Sequence, residues 1–260
     1  MTGFSAAQPP ALYGAYNQTR TVMWKKAAKR LLPGPIWFAV RQVALEVQIA
    51  RLHRRGVRRA ARLRTAGPLL RLNLGSGDLP KEGWINVDLF GSVADLRLDL
   101  RRPLPFADHS TSYIYTEHFF EHLEYPNVTK SMGWDLESDG PSEALQFLRE
   151  CKRVLAPAGI LDVVVPDTKG MIGEYVAGRL SVNESVVPWW GPTWCDTGLH
   201  RVNYLFRQGR QHKYAYDEET LSRVLQSVGF QDIRPRPFDP GLDAPNHVIG
   251  SLCMTAKKPA

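Results

Sequence analysis

Residues 69–90, LLRLNLGSGDLPKEGWINVDLF, constrain this chain more than any other stretch. Leu69, Leu70, Leu72 and Leu74 form a short apolar run, the mark of a buried strand. It ends in Gly75-Ser76-Gly77, where missing side chains let a ligand approach the backbone closely. A second short strand, Trp84-Ile85-Asn86-Val87, ends at Asp88, and a carboxylate there can accept from both hydroxyls of a ribose. Strand, glycine turn, strand and acid make half of a nucleoside-binding site.

From Leu69 onward the units alternate as in α/β proteins. Further strands are expected at 93–98, ending at Asp99, and at 112–116, followed by Glu117-His118. A helix at 142–155, a strand at 160–165, a helix at 217–228 and strands at 230–235 and 248–256 complete the pattern. Residues 168–216 are rich in Trp and Tyr and poorly periodic, and read as a substrate or lid insertion. Only about nine residues separate the first two strands and about five the next two, whereas a crossover with a packed helix needs a dozen or more. Helices on that side should be shortened or absent, leaving a bare sheet face. The N-terminal helices, especially Ile36–Leu52, are expected to cover it.

The net charge of +7 is unevenly placed. Residues 1–71 hold fourteen Lys and Arg against one acid, Glu46, a balance of +13 that leaves −6 on the other 189 residues. Residues 1–20 read as a loose tail and 21–66 as a basic helical extension, broken at Pro33-Gly34-Pro35. Within it Ile36, Val40, Val43, Val47 and Ala50 recur at helical steps. The run Arg51–Arg64 can be a solvated helix face or can meet phosphates or an anionic membrane surface. Cys151, Cys195 and Cys253 are too far apart in sequence for a disulfide framework or a zinc cluster, which fits a reducing compartment. No signal pattern and no run of about 18 apolar residues is found, so a cytoplasmic, at most membrane-peripheral, location is expected.

Together LNLGSG (72–77), GWINVD (83–88), DLRRPLPFADHS (99–110), SYIYTEHFFEHL (112–123), LRECKRVLAPAGIL (148–161), VVVPD (163–167), YDEETLSRVLQSVGF (216–230) and SLCMTAKKP (251–259) resemble the class I S-adenosylmethionine-dependent methyltransferases, in particular the type 11-like group. Ser76 and Ala158 depart from the usual Cys and Gly of that pattern without adding blocking bulk. The resemblance implies a Rossmann-like, mostly parallel sheet with an antiparallel last strand over 67–260, and S-adenosyl-L-methionine as cofactor. It implies that Asn73, Gly75, Ser76 and Gly77 face the methionine part, that Asp88 and Leu89 meet the ribose, that Asp99 and Leu100 meet the adenine, and that Thr116 and Glu117 line the floor near the sulfonium.

A nicotinamide enzyme would want G-x-G-x-x-G, and Asp78, Leu79 and Pro80 follow Gly77 instead. Nucleic-acid methylation is discounted, because Thr116-Glu117-His118-Phe119 replaces the Asn/Asp-Pro-Pro-aromatic string and the basic arm lacks interleaved aromatics. His118-Phe-Phe-Glu121-His122 spells the H-x-x-E-H of inverted zinc proteases, which would need a third ligand downstream. Its place after a strand of a cofactor fold argues against a protease. A divalent ion assisting a bound hydroxyl remains an option, and no metal ligands are assigned.

Transfer to an alcohol or phenol needs a base, for which histidine is best suited near neutral pH. His118 and Glu117 at the strand end, then His200, are the catalytic candidates; His212, Tyr214, Trp189, Trp190 and Trp194 are candidates for substrate binding. The aromatic cluster points to a saccharide or glycolipid acceptor. The alternatives are a small nitrogen or carbon nucleophile, or a non-catalytic protein that keeps the cofactor fold.

Overall fold

The computed structural model describes residues 33–63, 69–125, 142–180 and 192–260. The expected tail at 1–20, the helical reading of 21–30, and Trp189 and Trp190 lie outside the described residues. Six strands form one sheet: β1 (Leu70–Leu74), β2 (Ile85–Val87), β3 (Thr111–Glu117), β4 (Leu155–Pro166), β5 (Gln231–Pro235) and β6 (Ser251–Lys257), in the order β2-β1-β3-β4-β6-β5. β1 to β4 pair in parallel, and β6 runs antiparallel to both its neighbours. This is the expected Rossmann-like, mostly parallel sheet with a reversed last strand.

The strand expected at 93–98 shrinks to a single bridge, Val87 to Leu96. Its place is taken by a turn that bonds back to β2 through both side chain and backbone. Asp95 Oδ2 accepts from the Asn86 backbone N–H at 2.8 Å, and the Asn86 carbonyl accepts from both Asp95 N and Leu96 N.

Helices α2 (Glu143–Val154) and α5 (Glu218–Ser227) close one face of the sheet, α1 (Gly34–Ala60) packing at its edge. Ser142 and Asp217 cap the two inner helices by accepting from Leu145 N and Thr220 N. Phe147, Leu148, Cys151, Val154, Leu221, Val224 and Leu225 are buried against Leu72, Leu74, Ile114, Leu161, Val163 and Met254. Two helices also lie in the stretch read as unperiodic, α3 (Thr168–Val176) and α4 (Gly198–Arg207). At nine and ten residues they are too short for their period to stand out; Asp167 and Thr197 cap them.

No helix lies between β1 and β2, as the short spacing requires. The cover of that face differs from the expectation, however. Tyr113, Tyr115, Val164 and Cys253 on the sheet pack with Trp84 and Leu242 from loops. Helix α1 instead joins the main core through Ala60 and Val57. Its buried residues are Ile49, Gly56 and Ala60, so 49–60 rather than 36–52 is the anchoring part. Gly56 is required there: a Cβ would lie 2.2 Å from the Arg97 carbonyl oxygen.

Candidate functional site

The chain runs outward from β1 to β2 and then returns to the other side of β1 as β3. Ligands in such sheets bind at the carboxyl ends of the strands where this reversal occurs. Here those ends are the Gly75 turn and the segment Glu117–Phe119. They touch: a Cβ on Gly75, whose φ is +73°, would lie 2.5 Å from Phe119 Cβ, so only glycine fits.

Around the turn, the Val87 carbonyl accepts from Gly75 N at 2.8 Å and Ser76 N at 3.1 Å. Asp88 Oδ2 accepts from Gly77 N at 3.0 Å, and Oδ1 from Phe90 N at 2.7 Å and Gly91 N at 2.6 Å. Asp88 therefore locks the glycine turn to the loop after β2, keeping one lone pair of Oδ2 uncommitted. Gly77, at φ +51°, has open space where a Cβ would be. Ser76 Oγ and Thr116 Oγ1 are buried beside these strand ends without hydrogen-bond partners among the described residues. Leu89 follows Asp88, half-buried. Asn73 braces the loop from below by donating to Asn86 Oδ1 at 2.9 Å and to the Leu79 carbonyl.

Asp99 is arranged differently from the expectation of an adenine acceptor. Its oxygens receive Arg101 N, Arg101 Nε, Arg101 Nη2 and Arg102 Nε at 2.9–3.2 Å. All four lone pairs are taken, which leaves none for an adenine amino group. Burial pushes the Asp99 carboxyl up, but the arginines pull it below the ordinary range. Its N–H meets His53 Nδ1 of α1 at 3.2 Å, so the residue ties the helix to the sheet. Leu100 lies in the core.

Glu117 bonds to the loop before β6. It accepts from Ala244 N at 3.1 Å and pairs with His247 Nδ1 at 3.0 Å. Burial opposes ionisation; His247 and the Ala244 N–H outweigh it and hold the carboxyl low.

His118 has φ +48°, an uncommon backbone state for a non-glycine residue. Its Nε2 lies 2.8 Å from Ser251 Oγ and its Nδ1 3.5 Å from Glu121 Oε1. The H-x-x-E-H string is not on an α-helix: it forms a 3-10 turn over Phe120–His122. Glu121 thereby points inward, 1% exposed, toward His118, His122 and His212. Burial raises its carboxyl pKa, but the three histidines pull it below the usual range. Burial also lowers the pKa of His212.

The structure thus places Gly75, Ser76, Gly77, Asp88, Thr116 and His118 at the carboxyl ends of β1, β2 and β3, with His212 linked to His118 through Glu121. His200 lies elsewhere: it is exposed and pairs with Asp196 at 2.8 Å. Trp194, 63% exposed, meets the rings of His200 and Tyr204 edge-on. Tyr214 packs between Tyr125 and Tyr216. Glu121, His122, His247 and Ser251 were not assigned from sequence. The H-x-x-E-H motif signalled the first two, whereas His247 and Ser251 have no signal apart from their tertiary placement.

No protein-family model and no curated protein matches the chain. Many solved structures do. The CurJ carbon methyltransferase is 18% identical at a TM-score of 0.41, the match covering 76% of this chain and 50% of that one. Haemonchus contortus phosphoethanolamine N-methyltransferase 2, bound to phosphomonomethylethanolamine and S-adenosylhomocysteine, is 14% identical at 0.43, covering 80% and 53%. An Archaeoglobus fulgidus SAM-dependent methyltransferase is 16% identical at 0.40, covering 82% and 94%. The chain spans about half the length of the first two. At such identities and TM-scores these matches carry no statement about activity, and the fold rests on the strand order itself. No helix among the described residues is long and apolar enough to cross a membrane.

Proposed function

We propose that this chain is an S-adenosylmethionine-dependent methyltransferase acting on a hydroxylated acceptor. The observation that carries the reading is the Gly75–Gly77 turn, tied to Asp88 and set against the His118 end of β3 at the reversal of the sheet. The open side of Gly77, the uncommitted lone pair of Asp88, and the unpartnered hydroxyls of Ser76 and Thr116 fit a nucleoside cofactor. When bound, the cofactor supplies an electrophilic methyl group on a sulfonium.

The protein's part is to hold the acceptor oxygen in line in a dry site and to take its proton. His118 is the proposed base. Glu121 behind Nδ1 favours a proton on that nitrogen, leaving Nε2 to accept one; Ser251 Oγ beside Nε2 supports the fit of a hydroxyl there. The exposed ring of Trp194 supports a sugar-bearing acceptor, a saccharide or glycolipid. The exposed arginines 51, 54, 55, 58 and 59 of α1 support peripheral contact with an anionic membrane, where a glycolipid would be met.

Calorimetry with S-adenosylhomocysteine and transfer assays with labelled cofactor test this reading. Asp88→Ala should weaken S-adenosylhomocysteine at least tenfold. His118→Ala should leave that affinity intact and lower transfer by about 10²–10⁴-fold. Methylation of amines or thiols but of no hydroxyl compound would overturn the acceptor class, and absence of S-adenosylhomocysteine binding would favour a non-catalytic protein.

A further inference from the structure

We infer that Glu121, His122 and His212 form a binding site for a divalent transition-metal ion. One ligand atom from each lies within 4.8 Å of the others. His122 and His212 both direct Nδ1 at a backbone carbonyl, that of Gln211 at 3.1 Å and that of Leu205 respectively. A carbonyl only accepts, so each Nδ1 carries the ring proton, and in a neutral imidazole Nε2 is then a lone pair. Those two Nε2 atoms face Glu121 Oε1 at 4.0 Å and 3.9 Å.

Both carboxylate oxygens of Glu121 are buried and accept no hydrogen bond from the described residues. His118 Nδ1, at 3.5 Å, comes nearest of the polar groups facing it. Lone pairs on two nitrogens and an ionised oxygen thus converge in a buried space, an arrangement that repels itself unless a cation occupies the centre. Imidazole nitrogens oriented through carbonyl bonds on their other side are the usual form of metal-ligating histidines. Two such nitrogens and one carboxylate suit zinc or another first-row divalent ion. Around an ion with bonds of about 2.0–2.2 Å, ligand atoms stand a little over 3 Å apart, so modest side-chain rotation closes the set.

The backbone already fixes it. The Glu121 carbonyl accepts from Lys213 N at 2.8 Å and Tyr214 N at 3.2 Å, which docks the segment carrying His212 onto the turn carrying Glu121 and His122. The set differs from that of an H-x-x-E-H protease: Glu121 and His122 are joined by His212, and His118 of the motif is left beside the site. An ion here could hold an acceptor oxygen next to His118. That use rests on the methyltransferase reading, whereas the binding does not.

Full-length protein without a histidine tag, freed of metal by chelator and dialysis, would be titrated with Co²⁺ and followed by its visible d–d absorption. One equivalent per chain is expected, displaced by Zn²⁺. Glu121→Gln and His122→Gln should each weaken binding at least tenfold, and His109→Ala, an exposed residue elsewhere, should not change it. His122 is partly exposed, so its variant should fold even if Glu121→Gln does not, and circular dichroism checks this. Absence of d–d bands, or unchanged binding in folded His122→Gln, overturns the site. The measurement needs neither cofactor nor acceptor, so its failure and that of the proposed activity are distinguishable.

Discussion

Asp99 receives four N–H groups, all from Arg101 and Arg102, while its own N–H reaches His53 of α1. Its arginine partners are partly exposed, so the charge-assisted bonds contribute only about 1–3 kcal/mol together. Asp99→Asn should lower stability by that amount in urea unfolding at neutral pH. The pH dependence has a definite sign. The folded pKa is depressed, so between the folded and unfolded values the unfolded chain binds the extra proton, and stability falls as pH falls. The difference between wild type and variant should therefore hold above about pH 4 and shrink as the pH drops through the folded pKa. At Gly91 the prediction is steric. A Cβ would lie 2.3 Å from the Gly77 carbonyl oxygen, so Gly91→Ala should displace the glycine turn and weaken S-adenosylhomocysteine at least tenfold in calorimetry. The glycine turn and Asp88 were legible in sequence because a tight turn and a strand-end acid are local patterns. The commitment of Asp99 was not, since the flanking Arg101 and Arg102 show no sign in sequence of folding back onto its carboxylate.

Helix α1 has two halves with different duties. Residues 49–60 anchor it to the core, and Ile36, Phe38, Val40, Val43 and Val47 remain 42–66% exposed. The period of that stripe correctly announces a helix, but a period tells only that a face is apolar and not which surface covers it. The small residues Gly56 and Ala60, which let the helix approach the sheet, were the better signal for the anchor. Removing residues 1–48 should therefore leave a soluble, folded chain, whereas Gly56→Leu should destabilise by several kcal/mol, because backbone of Arg97 stands where the side chain would go. With the exposed arginines at 51–59 beside this stripe, the full chain should co-sediment with anionic phospholipid vesicles and lose that binding in high salt. Equal binding to neutral vesicles would refute the electrostatic part.

At the scale of the whole molecule, the face of the sheet that carries Tyr113 and Tyr115 is held by a charge network as well as by the apolar loop residues Trp84 and Leu242. Arg236, which follows β5, pairs with Asp162 of β4 at 2.7 Å and with both oxygens of Asp243 at 2.6 and 2.7 Å. Tyr115 and Tyr113 of β3 donate to the same two carboxylates. The overall sheet was legible because each strand end carries a local signature, but this network joins residues far apart in sequence, and no local pattern pairs them. It also reaches the candidate site: Asp243 fixes the loop whose Ala244 N–H and His247 hold Glu117, next to His118. Removing Arg236 alone leaves two carboxylates, each about 1% exposed, without their cation. Arg236→Ala should cost about 3–5 kcal/mol in urea unfolding, the range for stranding a buried charge. Arg236→Lys keeps the charge and loses the planar fork, so it should fall between. If stranded charge is the cause, Asp243→Asn introduced into Arg236→Ala should recover part of the loss, although Asp243→Asn alone destabilises. Simple addition of the two single losses would instead mean that Arg236 acts through packing of its aliphatic stem.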